Sequence, residues 1–225
     1  SGFEKVAERA PNKYAEKAVL QAARIYFFEQ KNYAKAESYY SQLKELAFSQ
    51  ENKLEALRGL LRSQYQQEKW NEAVENAKEL VKMNGSSSDD KALSNMAIGK
   101  AYQVNGQYDL AITNYKTVVA QNKGALAAEA RYEIAHSWFS VNKLADAEKA
   151  AFEVINKSGS YDFWVTKAYL LLGDVYFSQK DYFNAKATFQ SIAENSIVPE
   201  FKNEAQTKLN KVLEEERKSS RVGGN

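Results

Sequence analysis

Apolar and small side chains recur along this chain at spacings of three and four residues, which is the pattern of helices that bury one face. Residues 92–123 show it most clearly, because two such stretches are separated there by Asn105-Gly106-Gln107. Glycine readily adopts the left-handed conformation that ends many helices, so Gly106 is predicted to stop the first helix. The segment therefore predicts a helix, a tight turn and a second helix. The side chains predicted to pack in this unit are Ile98, Gly99, Tyr102, Tyr108, Ala111, Ile112, Tyr115, Val118 and Val119.

The same unit recurs at a nearly constant interval. An alanine stands at position 36 and again after gaps of 37, 38, 36 and 38 residues, and a large apolar residue precedes each alanine by three positions. The alanines are Ala36, Ala73, Ala111, Ala147 and Ala185, and the residues that precede them are Tyr33, Trp70, Tyr108, Leu144 and Tyr182. A fixed period of this length is typical of stacked copies of one small unit. The fold is therefore predicted to be all-α.

A small residue in each helix, with aromatic residues around it, resembles the tetratricopeptide repeat family, whose unit is a helix–turn–helix of about 34 residues. Residues 128–158 and 166–195 match this pattern as well as residues 92–123 do. The resemblance implies a right-handed superhelix, or α-solenoid, of about five repeats with a C-terminal capping helix. The predicted repeats are residues 17–53, 54–91, 92–127, 128–165 and 166–198.

Two repeats depart from the pattern. In the first, Ala23 lies one residue too far from Tyr33. In the second, Leu60-Leu61 stands where a small residue is expected, and Gln64 replaces an aromatic residue. A large side chain at a helix crossing holds two backbones apart, so distorted packing or a bend is predicted in the second repeat.

The ends of the array are predicted to differ from the repeats. Residues 1–16 are predicted to be the end of a partial repeat, with Phe3, Val6 and Ala7 on its buried face and Pro11 after it. The alternative is a leader helix that caps the stack. Pro199 is predicted to begin a capping helix that ends at residue 218 and has a polar outer face. Residues 219–225 have nothing to bury and are predicted to be disordered.

Two connections between repeats carry further signals. Asp89-Asp90 ends a Gly-Ser-rich stretch and is predicted to cap the next helix, because aspartate accepts hydrogen bonds from free amides at a helix start. Tyr161-Asp162-Phe163-Trp164 is an unusual aromatic cluster. It is either an exposed docking spot or a plug for the gap left by a long loop.

Composition narrows the possible functions. The net charge of +2 is too small to indicate binding of nucleic acid or of an anionic membrane, and no sustained basic stripe is present for phosphates. Cysteine is absent, which excludes disulfides and thiolate metal sites. No apolar run approaches the roughly 20 residues of a membrane span. The partner is thus expected to be neither nucleic acid nor membrane.

Enzymatic chemistry is not indicated by the sequence. His136 is the single histidine, so no histidine pair exists to bind a metal. No glycine-rich phosphate loop, nucleophile elbow or metal-ligand spacing occurs. The protein is therefore expected not to be an enzyme and to need no cofactor or metal.

The resemblance instead implies a concave groove lined by the first helix of each repeat, with certain positions pointing inward. The predicted groove residues are Arg24 and Phe27 in the first repeat, Arg58, Arg62 and Tyr65 in the second, Met96, Lys100 and Gln103 in the third, Tyr132, His136 and Phe139 in the fourth, and Leu170, Asp174 and Phe177 in the fifth. For Phe27, Phe139 and Phe177 the alternative is packing between neighbouring first helices. This surface is basic at its N-terminal end and aromatic towards its C-terminal end.

These residues predict a scaffold that binds a protein or peptide segment, acidic or amphipathic, with aromatic or aliphatic anchors. The long repeats and residues 176–186 resemble in style the envelope proteins of bacteria, namely outer-membrane assembly lipoproteins and proteins associated with the Tol-Pal system. The chain is accordingly expected to be a module of a larger envelope protein in the periplasm, with the cytoplasm as the alternative. The competing function is a structural spacer or self-association module without a groove ligand. The oligomeric state is not predicted.

Overall fold

A computed structural model of the chain describes residues 2–7 and 14–222, and within them the secondary structure is entirely helical. The chain divides into two compact units, which meet at Gln107 and Tyr108. The first unit contains α1 (Gly2–Ala7), α2 (Ala15–Arg24), a π-helical turn (Ile25–Glu29), α3 (Tyr33–Leu46), α4 (Gln50–Gln66), α5 (Trp70–Lys82) and α6 (Ser88–Val104). The second contains α7 (Tyr108–Gln121), α8 (Ala125–Ser140), α9 (Leu144–Lys157), α10 (Asp162–Ser178), α11 (Tyr182–Asn195) and α12 (Pro199–Val222).

The helices alternate between two roles, as the repeat predicts. We call α2, α4, α6, α8, α10 and α12 the A-helices, and α3, α5, α7, α9 and α11 the B-helices. Within each unit a helix packs mainly against its neighbours in sequence, which is the organisation of a helical repeat array. The A-helices of the five repeats begin at residues 15, 50, 88, 125 and 162, two to four residues before the predicted repeat boundaries.

Every turn from an A-helix to a B-helix contains one residue in the left-handed conformation, two positions before the B-helix begins. Gly106 is such a residue, with φ +73°, which confirms its predicted role. The other four are not glycines but Lys31, Glu68, Asn142 and Lys180, with φ between +49° and +63°. For these side chains the conformation costs about 1–2 kcal/mol. The turn geometry is therefore imposed by the packing of the two helices around it.

The extra residue of the first repeat forms the π-helical turn. There the Gln30 amide donates to the Ile25 carbonyl, five residues back, and the Asn32 amide donates to the Tyr26 carbonyl, six residues back. The equivalent bond spans five residues in the other repeats, as from Lys69 to Gln64. A π turn adds one residue without breaking the helix. The insertion is thus absorbed inside α2 and its π turn, and α3 starts in the usual register.

In the second repeat α4 and α5 are each continuous helices, so the unusual residues break neither of them, and the predicted distortion of their packing stays a prediction. Leu61 is fully buried in one cluster with Ala73, Ala77 and Leu80. In the fifth repeat the equivalent positions are reversed, since a Cβ on Gly173 would come within 2.5 Å of the Phe189 ring. The second repeat therefore moves the small residue from the A-helix to the B-helix and keeps the summed volume at the crossing.

Gln64, which stands in place of an aromatic residue, is 5% exposed and joins three helices. Its amide nitrogen donates to Glu37 on α3 at 3.1 Å, and its oxygen accepts from Asn76 on α5 at 3.0 Å. Glu37 also accepts from Lys69 at 2.7 Å. Burial alone would raise the pKa of Glu37, but the hydrogen bonds from Lys69, Gln67 and Gln64 outweigh it and lower that pKa. A polar network thus replaces an aromatic contact here.

The helix starts and ends correct two further predictions. The α6 cap is Ser87 rather than Asp89-Asp90. Its hydroxyl accepts from the Asp90 amide while the Asp90 carboxylate accepts from the Ser87 amide, which is a capping box. Pro199 begins the last helix as predicted, but this helix continues to Val222, beyond the predicted end at residue 218. Residues 223–225 lie outside the described residues, as does Pro11, the residue predicted to end a partial repeat. The helix α1 before it packs against α2.

Candidate protein-binding faces

Two of the arginines predicted to line the groove connect successive repeats of the first unit. Arg24 donates to Glu55 on α4 at 2.8 and 3.2 Å. Arg58 forms a two-pronged ion pair with Asp90 on α6, at 2.6 and 2.9 Å. Because Asp90 also closes the capping box of α6, Arg58 holds α4 onto the start of α6. The carboxylate that Arg58 pairs with is thus internal to the chain, and its predicted role in ligand binding stays a prediction.

Other predicted groove residues of the first unit surround Trp70. Tyr65 contacts Trp70 edge-on at 4.9 Å, and the Lys100 ammonium lies over the indole at 5.6 Å from its centre. Arg62 is exposed and Gln103 is half-buried. The groove prediction is wrong for Met96, which is completely buried. An A-helix inside the array packs against a helix on each side. Met96 lies one turn before Lys100, on a side of α6 that is buried by this packing.

Phe27 packs within its own repeat, edge-on to Tyr33 at 5.3 Å and to Phe28 at 4.9 Å. It therefore bridges the π turn and the first residue of α3, and only part of its surface is exposed. These contacts lie within one repeat and not between neighbouring first helices, so the alternative predicted for Phe27 is not what these contacts show. The fifth-repeat equivalent, Phe177, likewise contacts Tyr182 at 5.9 Å, and the Lys211 ammonium lies 5.6 Å from its ring centre.

In the second unit the predicted residues converge on one cleft of about 190 Å³ between α8, α10 and α12. We call it the A-face cleft. The predicted residues that line it are Tyr132, His136, Phe139, Leu170 and Asp174. Lys167, Leu171, Glu204 and Lys208 line it as well. Leu170 is only 4% exposed and forms part of the floor of the cleft. The structure therefore gathers the aromatic end of the predicted groove into one surface.

Four aromatic rings, which we call the aromatic ladder, connect α8, α10 and α12 beside this cleft. Tyr132 lies 5.6 Å from Trp164, Trp164 lies 5.0 Å from Phe163, and Phe163 lies 5.2 Å from Phe201. His136 stacks on the free side of Tyr132 at 6.0 Å. The aromatic cluster noted in the sequence thus lies at the start of α10, where Trp164 fills space between α8 and α10 as the plug alternative predicts. Its Phe163 remains 52% exposed.

The Lys167 ammonium lies over three rings of this ladder. Its distances to the ring centres are 4.6 Å for Tyr132, 5.3 Å for Trp164 and 5.7 Å for Phe163. Rings attract a cation through their negative faces and hold it in place, and they leave its charge uncompensated. Lys167 is therefore a positioned cation at the edge of an aromatic surface.

The other charges of the cleft pair with each other. Lys208 of α12 donates to Asp174 at 2.5 Å and to Glu204 at 3.1 Å. Burial raises the pKa of Asp174 despite the nearby lysine. Burial would lower the pKa of Lys208, but Asp174 and Glu204 outweigh it and raise that pKa. The pair fixes α12 against α10, so the third wall of the cleft is held in place.

Sequence reasoning missed Lys167 and Lys208, and it noted Trp164 only as part of the aromatic cluster. Lys167 could have been found, because it lies seven residues before Asp174 and hence on the same side of α10. Lys208 was assigned to the solvent face of a capping helix. Only the packing of α12 against α10 and α11 shows which of its polar residues turn inward.

No group of histidine, cysteine and acidic residues suited to a metal ion occurs among the residues that the structure describes. Within the same part of the chain, no helix is long and apolar enough to span a membrane. The residues brought together on the A-helix side are aromatic rings, amides and paired charges, which are suited to binding rather than to bond-breaking chemistry.

Comparison with known families agrees with this architecture. Two family models, both described as tetratricopeptide repeat, match residues 96–162 and residues 167–196. Over these residues the sequence is similar to tetratricopeptide repeats. The matched residues include α8 and α10 and thus most of the A-face cleft. No curated protein sequence matches the chain.

Solved structures with tetratricopeptide repeats superpose on the chain. One is a signal transduction ATPase with numerous domains from Pyrococcus horikoshii, which has a tetratricopeptide repeat sensor. It superposes with a TM-score of 0.70 at 18% identity over 93% of this chain, but the chain spans only 36% of that protein. YrrB, a tetratricopeptide repeat protein with an unusual peptide-binding site, gives 0.60 at 16% identity over 92% of this chain and 98% of its own. MamA gives 0.61 at 16% identity, over 83% and 98%. At these identities the likeness shows the fold.

Proposed function

We propose that this tetratricopeptide repeat chain is a non-enzymatic scaffold that binds a segment of another protein at the A-face cleft. The observation that carries the proposal is Lys167, a cation held over three aromatic rings at the edge of an aromatic surface. A carboxylate of a partner would pair with this ammonium where the rings have already removed part of its water. The neighbouring rings of Tyr132 and Phe139 would receive an apolar side chain.

The expected ligand is therefore a segment with an acidic residue next to an aromatic or aliphatic anchor. Aromatic residues and arginine are the commonest anchors of protein interfaces, and the first unit adds Arg62 and Lys100 to the same kind of face. We further propose that the chain is a module of a larger protein of the bacterial cell envelope, as the style of its repeats suggests. The YrrB likeness supports peptide binding as a property of the fold only.

The proposal is tested by affinity capture with the tagged chain from separate envelope and cytosolic extracts of the source organism. We expect a specific protein, identified by mass spectrometry, that is lost when Lys167→Gln and Phe139→Ser are introduced together. The matched control is Lys202→Gln, since Lys202 is an exposed lysine of α12 away from the cleft. Capture that survives the double change would overturn the assignment of the cleft. No captured protein from either extract would favour the spacer function.

A further inference from the structure

The B-helices of the second unit form two clefts on the opposite side of α8 and α10 from the A-face cleft. The first, of about 280 Å³, lies between α7, α8 and α9, and the second, of about 570 Å³, lies between α9, α10 and α11. We call them the charged cleft and the neutral cleft. They share α9, so they are neighbours on one surface within this unit.

The two clefts are the same feature in successive repeats. The equivalent position in the next repeat lies 36 residues later for α7 and 38 residues later for α8 and α9. For each charged residue that lines the charged cleft, the equivalent residue lines the neutral cleft. The charged residues are all replaced by uncharged ones. The pairs are Lys116 and Phe152, Arg131 and Tyr169, Asp146 and Asn184, Lys149 and Ala187, and Glu153 and Ser191.

The neutral cleft exposes more apolar surface than its neighbour. Phe152 and Tyr169 both line it and are 39% and 40% exposed. Phe183, 75% exposed, lies one turn before Ala187 on α11, and Ile197, 94% exposed, follows the last lining residue. Contiguous apolar surface of this kind on a soluble fold marks sites of protein contact. In a chain with 27% charged residues, a lining without charge favours an uncharged, apolar occupant.

Three polar side chains of the neutral cleft donate hydrogen bonds within α11 or to its N-cap residue. The Asn184 amide donates to Asp181, the Asn195 amide to the Ser191 carbonyl and the Thr188 hydroxyl to the Asn184 carbonyl. These three donors therefore bind acceptors of α11 or of Asp181, its N-cap residue. With these donors engaged and no charged residue in the lining, the cleft suits large apolar side chains.

The charged cleft, in contrast, contains a hydrogen-bond donor without a partner. Its lining has three cations, Lys116, Arg131 and Lys149, against two carboxylates. The Arg131 Nε is buried without a hydrogen-bond partner, and its Nη1 reaches only the Ser158 hydroxyl at 3.4 Å. A buried N–H without a partner costs about 1–3 kcal/mol. A carboxylate is the acceptor that a guanidinium binds best.

We propose that this B-helix surface is a second docking site, independent of the A-face cleft. Its occupant is a protein segment that places a carboxylate on Arg131 in the charged cleft and large, uncharged apolar side chains in the neutral cleft. Because the two clefts are neighbours, the segment carries its acidic residue at one end and its apolar side chains at the other, in either chain direction.

The test uses a phage-displayed library of random 16-residue peptides, selected on the purified chain. The variant Phe152→Lys with Tyr169→Arg installs the residues that the preceding repeat carries at the same positions, so it is expected to fold, as circular dichroism would check. We expect enriched peptides with an acidic residue followed or preceded by an apolar stretch. Measured by fluorescence anisotropy, their affinity should fall at least tenfold in this variant and should not change in Lys167→Gln.

Arg131→Gln should remove the preference for an acidic residue while apolar binding persists. Enriched peptides that ignore the Phe152/Tyr169 variant, or a selection that enriches none, would overturn the second site. Wild-type chain that self-associates in sedimentation, with the variant monomeric, would identify a second copy as the occupant and contradict a foreign segment. Failure of this site leaves capture through the A-face cleft unaffected, since the two use different residues.

Discussion

The exchange of large and small residues between repeats gives the most demanding prediction. At one helix crossing the second repeat has Leu61 with Ala77, and the fifth has Gly173 with Phe189 at the equivalent positions. If the crossing needs only a constant volume, then Gly173→Leu combined with Phe189→Ala should give the fifth repeat the packing of the second. Each change alone should be severe.

The structure sets the magnitudes. A Cβ on Gly173 would lie 2.5–2.9 Å from three carbons of the Phe189 ring, which is 1% exposed and cannot retreat. Overpacking of this kind costs about 1–3 kcal/mol or more. Phe189→Ala opens a cavity and costs about 3–5 kcal/mol. If the two effects were independent, the double variant would lose the sum, about 4–8 kcal/mol.

We expect the double variant to be at least about 2 kcal/mol more stable than that sum, because the leucine fills the space of the ring. Urea unfolding followed by circular dichroism gives the free energies. Since repeats open locally, hydrogen exchange of α10 and α11 amides tests whether the effect lies in the fifth repeat. The reverse exchange, Leu61→Gly with Ala77→Phe, is the matched control. Additive losses in both repeats would refute the constant-volume explanation.

Three further predictions concern the first unit. Glu37→Gln should lower the free energy of unfolding by about 1–2 kcal/mol at pH 7. Because the folded pKa of Glu37 is lowered from 4.5, this difference should be fully present above pH 4.5 and should be lost as the pH falls through that lowered pKa. Urea unfolding at a series of pH values from 6 downwards would show a constant difference if the network were unimportant. Glu68→Gly should raise the free energy of unfolding by up to about 1 kcal/mol, since Glu68 has φ +56°, whereas Glu72→Gly, within α5, should lower it. Phe28 is 60% exposed in the π turn, and deleting it should convert that turn to α-helix. This deletion should lower thermal stability less than deleting Ser178 from α10 does. Equal losses would contradict the view that the π turn absorbs one extra residue.

Much of the fold could be predicted from the sequence because the residues that define the repeat pack against each other within one repeat. The alanines of the B-helices and the glycine of the best-formed turn each indicate one contact within a repeat. The prediction of distorted packing in the second repeat considered only the A-helix side of the helix crossing. Leu61 looks wrong alone and is correct beside Ala77, and such compensation appears only when both helices are compared.

The candidate site was predicted in part for a related reason. Positions such as Tyr132, His136 and Asp174 follow from the side of a helix on which they lie. Whether a predicted residue can contact a ligand depends on what packs against it. Arg58 pairs with Asp90, Met96 is buried in the core, and Asp174 pairs with Lys208 of α12. These partners are 32 and 34 residues away in sequence for the two ion pairs. The envelope location stays a prediction.

The central claim is that the A-face cleft receives a segment of another protein. The most direct test places the photo-cross-linking amino acid p-benzoylphenylalanine at position 139 in the cleft and, separately, at position 110, an exposed leucine of α7. Irradiation in extract of the source organism should then give one defined adduct from position 139, absent from position 110 and suppressed by Lys167→Gln. Adducts of equal yield from both positions, or an adduct that Lys167→Gln leaves intact, would contradict the claim.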